Sequence, residues 1–393
     1  MDNNEKKNGI NRTSHGNVKI RKRSKSPAER KKKKTRALVF GAVGVVAVIA
    51  VAIILFSVLS GGNSQDPASD DPKINAPISS EGQNVISNTE EEESHTYCQV
   101  NIFDFSSLEN LRQKAKQLKS QGFSYAVIDA KEETGKLKFV SETEIAKNSG
   151  ANSTFEAFTL SEAVALFHEE GLRVCALFNC FRDDVAASSS FEISVLFSEN
   201  MRWSDGSSRW ISVYSEKGRK YVVDTLGELI ETGVDEVVLR NYYLPETDTP
   251  ESIYYNSGEG VDSKTIVKTF LDEVKAAFPA TKIGITANVE TLINPEDTHN
   301  TGVSLELLSN IVDFIAFDFS FDRLPTDVMV GSTYLLSPES TEFEAIEALC
   351  RQFADTAFKN VLVLTQCANT KNERETASIY IESGFDRVAV INR

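Results

Sequence analysis

From about residue 97 onward the chain alternates two hydrophobic periods. Short runs rich in branched and aromatic residues read as strands: Gln99–Phe103, Tyr125–Ala130, Arg173–Phe178, Glu236–Arg240, Lys282–Ala287, Phe314–Phe319, Asn360–Thr365 and Arg387–Ile391. Between them apolar residues recur at helical spacing. Leu108, Leu111, Ala115 and Leu118 share one face, and Ile266, Phe270, Val274 and Ala277 share another. A third helix spans about Lys217–Glu231, with Tyr221, Val222, Leu226, Leu229 and Ile230 apolar. Gln121-Gly122, Glu170-Gly171, Thr232-Gly233 and Ser383-Gly384 each end a helical stretch just before a strand, as glycine C-caps do. Eight strands alternating with helices predict an α/β fold, a closed (β/α)8 TIM-type barrel over residues 97–393. A doubly wound sheet is the alternative, but no glycine-rich phosphate loop follows the first strand. The last strand ends two residues before Arg393, so a final helix is missing or the barrel closes differently.

One stretch breaks both periods. Ala37–Leu59 carries no charged side chain over 23 positions, and a helix rising about 1.5 Å per residue would cross a hydrocarbon core of roughly 30 Å. It reads as a single transmembrane helix. Cleavage around Val58-Leu59-Ser60 is the other reading, although the apolar region of a signal peptide is usually shorter. Charge then sets the orientation. Residues 1–36 hold 14 Lys and Arg against three acids, net +11, while the rest of the chain is net −26. Basic flanks stay on the cytoplasmic side, so the N-terminal tail faces inward and the acidic domain lies outside the cell. The lysine-rich run Arg21–Arg36 is thus a topology signal that attracts anionic lipid, and a nucleic-acid role is not expected. Residues 60–96, polar and poor in aromatics, form a flexible acidic stalk.

With 41% hydrophobic residues the chain has ample material for a core. Its five cysteines (98, 175, 180, 350, 367) include no Cys-x-x-Cys pair. Odd spacing on one strand turns Cys175 and Cys180 to opposite faces, and buried inert thiols are expected. Four scattered histidines form no metal constellation, and no cofactor is expected.

In a barrel of this type the C-terminal ends of the strands build the active face. Those ends read Asp129-Ala130-Lys131-Glu132-Glu133, Asn179-Cys180-Phe181-Arg182-Asp183, Arg240-Asn241-Tyr242-Tyr243, Asn288-Val289-Glu290, Asp318-Phe319 and Gln366-Cys367. Polar residues from so many strands converge on one rim, which suits a polar ligand. Strand ends are also simply where solvent begins. Tyr242, Tyr243, Phe319 and Phe321 are candidate stacking platforms for a sugar or rim packing, and Trp203 and Trp210 share that ambiguity.

Several segments, in order, resemble a family of bacterial glycosyl-hydrolase-type proteins, barrels related to α-amylase-like glycosidases. Tyr125–Lys138 resembles that family's strand ending Val-Ile-Asp-Val-Lys-Asp before a glycine turn, and Leu172–Asp183 resembles its third strand, which ends Phe-Lys-Asp. Trp210–Tyr214 is similar to a Trp-x-x-Pro-Tyr segment, and Gly233–Pro245 aligns without a gap to Gly-Phe-Asp-Glu-Ile-x-Phe-Asp-Tyr-Ile-Arg-Phe-Pro. The resemblance implies a carbohydrate-active barrel, yet the family's strand-four aspartate falls on Arg240 and its strand-five aspartate on Asn288. An arginine stays protonated and an asparagine transfers no proton, whereas glycoside hydrolysis usually needs two carboxylates. Catalysis would require a rearranged pair, Asp129 with Asp318 or Glu290. Lys131, Asn179, Asp183, Arg240, Asn241, Tyr243, Asn288 and Gln366 are the candidate substrate-binding residues. Three functions stay open: a barrel that binds cell-envelope or environmental polysaccharide without hydrolysis, an active glycoside hydrolase, and an envelope protein using the barrel for protein contacts.

Overall fold

A computed structural model describes residues 94–391, apart from 154, 248, 256–259, 289–299, 305–310, 319–327, 331–332, 336–359, 368–370 and 383. The basic tail, the apolar segment Ala37–Leu59 and the stalk up to residue 93 lie outside the described residues. Among the described residues, no helix is long and apolar enough to cross a membrane.

Eight parallel strands close into a barrel: β1 (His95–Gln99), β2 (Tyr125–Lys131), β3 (Arg173–Asn179), β4 (Glu236–Arg240), β5 (Lys282–Asn288), β6 (Phe314–Asp318), β7 (Val361–Thr365) and β8 (Arg387–Val390). Each strand pairs with its neighbours in chain order. Closure comes from β1 against β8, with Cys98 opposite Val390. No helix after β8 is needed, because the pairing itself satisfies both edges. Helices are described in the crossovers from β1 through β5 and from β7 to β8: α1 (Leu108–Ser120), α2 (Glu144–Ser149), α3 (Leu160–Glu169), α4 (Asp184–Ser189), α5 (Glu216–Glu231), α6 (Ser263–Ala277) and α7 (Glu373–Glu382). At the start of α3, the Thr159 hydroxyl accepts from the Glu162 amide at 3.2 Å, and the Glu162 carboxylate accepts from the Thr159 amide at 2.7 Å. This reciprocal cap fixes where the helix begins. An antiparallel hairpin, Leu196–Ser198 with Met201–Arg202, rises between β3 and α5.

Seven strands begin at, or within one residue of, the positions read from sequence. β1 does not: it starts at His95, four residues early, and takes in two residues assigned to the stalk. Val100 and Ile102 are buried and so mimic a strand, but Asn101 caps a 3-10 turn over Ile102–Asp104 that ends the extended run.

Two apolar layers result. The outer layer packs helices on the barrel, and the lumen holds Tyr97, Tyr125, Val127, Cys175, Leu177, Val238, Phe314, Ala316, Leu362, Leu364, Ala389 and Ile391. Cys175 belongs to the inner layer and Cys180 to the outer, as their spacing required. Cys98, Cys175 and Cys180 are buried free thiols, and burial pushes the Cys98 thiol up to about 11. Gly284 lets β5 and β6 share the lumen, since a Cβ there would stand 2.2 Å from the Phe314 ring. At the N-terminal end of the barrel Glu236 is 1% exposed. It accepts from Tyr97 at 3.2 Å, Tyr125 at 3.3 Å and Arg387 at 2.6 Å, and this polar cluster forms the floor.

Candidate functional site

Side-chain alternation decides what faces the mouth above this apolar filling. Val127, Leu177, Val238, Ala316 and Leu364 line the lumen, so the residues two further along, Asp129, Asn179, Arg240, Asp318 and Gln366, share that face at the C-terminal ends. Asn288 stands opposite Asp318, and Asn179 opposite Arg240. The rim read from the sequence therefore assembles. Gln99 joins it from β1, a residue missed because that strand was read four positions late. The eighth position is apolar, filled by Ile391 just after β8. Asp129 on β2 and Asp318 on β6 are four strands apart in a ring of eight, facing each other across the mouth, with Arg240 on β4 midway.

Lys131 and Asp183 leave this set. The ladder between β2 and β3 shifts register between Asp129 and Lys131, so Lys131 pairs with Phe178, which belongs to the outer layer. The bulge turns Lys131 out of the lumen, although a regular strand would have pointed it inward with Asp129. Its ammonium lies 2.7 Å from the Asp183 carboxylate, both side chains fully buried. It also donates to the Cys180 carbonyl at 3.1 Å and sits 5.3 Å from the centroid of the Tyr221 ring on α5. Asp183 caps α4 by accepting from the Ala186 amide at 2.7 Å. The pair knits the loops after β2 and β3 together and offers no surface to a ligand. Gly135 closes over it: its φ is +91°, and a Cβ there would stand 1.9 Å from Asp183 Oδ1.

Arg240 points into the mouth. Among the described residues its guanidinium has one hydrogen-bond partner, Glu133 Oε1 at 3.4 Å. The other Glu133 oxygen takes a close contact from Arg182, which also donates to Asp205 at 2.7 Å. Burial would raise the Asp205 carboxyl, but donors from Arg182, Ser207, Ser208 and Trp210 together hold it well below the usual carboxylate range. Glu133, Arg182 and Asp205 were not singled out as site residues, because they lie in the loops beyond the strands rather than on them.

Asn241, next to Arg240, adopts φ +47°, a left-handed conformation asparagine tolerates better than most residues. This turn aims its amide at Asn179 Oδ1, 2.6 Å away, while Asn179 donates to the Lys131 carbonyl at 2.8 Å. Asn179 and Asn241 thus brace the rim, and Asn179 has no exposed surface. Tyr242 is fully buried and Trp210 is 4% exposed, so neither is a stacking platform; both pack the loop layer. Tyr243 is half-buried, its hydroxyl donating to Asn241 Oδ1 at 3.4 Å. Trp203 packs on the outer core. Glu290, Phe319 and Phe321 lie outside the described residues.

At the mouth one carboxylate oxygen is left unsatisfied. Asp129 is half-buried and its Oδ1 has no hydrogen-bond partner. Burial pushes its carboxyl up to about 6, against the opposing pull of Arg240 and Lys138. No group of three or more His, Cys, Asp or Glu gathers to hold a metal among the described residues. The mouth can therefore hydrogen-bond a polar ligand, hold a proton on Asp129 in mildly acidic solution, and present the Arg240 cation.

Residues 100–352 match a family profile described as "Putative glycosyl hydrolase domain". No curated protein sequence matches the chain. Among solved structures, the glycoside hydrolase domain of PgaB (BpsB) from Bordetella bronchiseptica aligns with a TM-score of 0.53 at 11% identity, over 76% of this chain and 94% of that one. A hypothetical protein from Ruminiclostridium thermocellum gives 0.43 at 20% identity over 48% of this chain and 96% of its own. The glycoside hydrolase domain of PelA from Pseudomonas aeruginosa gives 0.41 at 14% identity over 76% and 94%. The first likeness is one of fold.

Proposed function

The chain belongs to the glycosyl hydrolase domain family that residues 100–352 match, and on that premise we propose that it is a membrane-anchored, extracellular member that binds a glycan across the barrel mouth without hydrolysing it. The observation that carries this reading is Arg240. It occupies the end of β4 and points inward, where the resemblance puts a catalytic carboxylate. A fixed guanidinium opposes the oxocarbenium-like transition state of glycoside cleavage, since two like charges about 4 Å apart repel by roughly 4 kcal/mol at an effective dielectric of 20. Asn288 on the next strand replaces a second carboxylate with an amide. The remaining mouth groups, Gln99, Asp129, Asp318 and Gln366, hydrogen-bond hydroxyls as readily as they would in an enzyme.

One observation favours a second reading, hydrolysis by a rearranged pair. Asp129, raised to about 6 by burial, is suited to a general acid, and Asp318 faces it across the mouth. Full-length protein screened on a glycan array, with a parallel assay for new reducing ends, separates the two. Binding without new reducing ends is expected; new reducing ends that disappear in Asp129→Asn would establish the hydrolase.

The anchor follows from Ala37–Leu59 and the basic run before it. Protease added to intact cells should remove the barrel after Ser60 and spare the tail. A barrel that is protected until lysis would overturn this orientation. The same orientation brings the barrel to cell-envelope glycan and the tail to anionic lipid.

A further inference from the structure

We infer that the mouth selects sugars bearing a carboxylate, with Arg240 gripping that carboxylate in place of Glu133. The inference rests on the glycan-binding reading and adds the substrate class to it.

Arg240 already holds a carboxylate, but poorly. The Glu133 contact, at 3.4 Å, is longer than a charge-assisted hydrogen bond of about 2.7–2.9 Å, and Arg182 holds the other oxygen of the same carboxylate more closely. The Glu133 side chain is 41% exposed, against 18% for Arg240. It therefore has solvent to move into and a second arginine to stay with. Arg182 keeps Asp205 in any case. Displacing Glu133 from Arg240 strands no charge, and it frees a guanidinium fork whose geometry matches a carboxylate in two parallel bonds. The neighbouring strand ends supply amides beside that anchor. Asn179, opposite Arg240, is committed to the rim, whereas the Asn288 side chain on β5 has no hydrogen-bond partner among the described residues.

The mouth also carries Asp129 and Asp318, so its selectivity is not a matter of net charge. Both stand two strands from Arg240, one on each side. An acidic sugar must place its carboxylate on the β4 side, and a sugar carrying an amine would instead be drawn to the two aspartates.

The test titrates full-length protein with three probes: a uronate-bearing oligosaccharide, the same oligosaccharide with its carboxyl groups reduced to alcohols, and a glucosamine oligosaccharide. The uronate should bind roughly tenfold tighter than its reduced form. Arg240→Gln should bring its affinity down to that of the reduced form, and Arg240→Lys should restore only part of the difference. Glu133→Gln removes the internal competitor and should tighten uronate binding several-fold, an effect that a merely structural role for Glu133 would not produce. Should Arg240→Gln fail to fold, the wild-type preference and Glu133→Gln decide. Equal affinity for the uronate and its reduced form, tighter binding of the glucosamine probe, or no gain in Glu133→Gln would overturn the inference while leaving glycan binding intact. Binding of none of the three would defeat the glycan-binding reading itself, and this inference with it.

Discussion

At the N-terminal end of β4, Glu236 is enclosed by Tyr97, Tyr125 and Arg387, with Lys282 a further 3.8 Å contact. Four residues on, on the same inward face, Arg240 has, among the described residues, a single 3.4 Å hydrogen bond to a carboxylate that another arginine holds. Arg387 donates to the Tyr97 hydroxyl as well, at 2.8 Å, and lies 4.2 Å over the Phe314 ring. Arg173 completes the floor through Tyr125 at 3.1 Å. Burial, with the Glu236 charge adding to it, pushes the Tyr97 phenol far up, so the hydroxyls on the floor stay protonated donors. A charge that is saturated with partners stabilises a fold; one left half-satisfied at a strand end is available to something else. One strand thus carries a fully partnered charge at one end and a loosely held one at the other.

The largest test of that contrast is at the floor. Glu236→Ala leaves Arg387 buried without its anion and should cost about 3–5 kcal/mol in denaturant unfolding of the full-length protein. A loss below about 1 kcal/mol would mean that the floor is no more structural than the mouth. Next is Gly135→Ala, which combines a left-handed backbone with a collision at Asp183 and should cost roughly 2–3 kcal/mol. An unchanged melting temperature would show that the buried Lys131–Asp183 pair does not hold the loops.

Asp129 should behave in the opposite sense. Its carboxyl rises from 3.8 to about 6 on folding, so the folded state binds that proton more tightly than the unfolded chain. This contribution is full below about pH 4 and is lost as pH rises to about 6. Arg240 and Lys138 pull towards ionisation, Glu132 and Glu133 against it. Asp129→Asn should therefore stabilise the protein by roughly 1–2 kcal/mol at neutral pH and by almost nothing near pH 4. Melting curves at the two pH values check it, and equal shifts at both would remove Asp129 from the unsatisfied set. The smallest effect is expected for Arg240→Gln, no more than about 1 kcal/mol of stability, since it gives up one long, partly exposed contact. A loss comparable to that of Glu236→Ala would make Arg240 a structural residue.

Much of this architecture was legible in the chain. Seven strand starts could be read because branched apolar runs bounded by glycine caps carry their own boundaries. The polar rim could be read because alternation with a period of two is a backbone property. Asp129, Asn179, Arg240, Asn288, Asp318 and Gln366 needed only a strand and its direction to be placed together. The departures at Arg240 and Asn288 were equally visible, since they are matters of residue identity.

Other features were decided by contacts between segments distant in sequence. Nothing local to Asp129-Ala130-Lys131 announces a bulge. It exists where Lys131 can reach Asp183, fifty-odd residues away, and that reach turns a candidate ligand contact into a buried brace. Gln99 was hidden because Val100 and Ile102 are as apolar as a strand, and only pairing with Tyr125 and Val390 fixes which residues extend. Sequence left Tyr242 and Trp210 open between sugar platform and rim packing, and only the closed loop layer, which buries both, decides for packing. The competition of Arg182 and Arg240 for Glu133 joins two loops to the end of β4, and hydrophobic periodicity carries no record of it. Sequence sets what each strand shows to the lumen, because that is the geometry of one chain segment. Which charges end up satisfied depends on long-range partners, and that only the closed barrel determines.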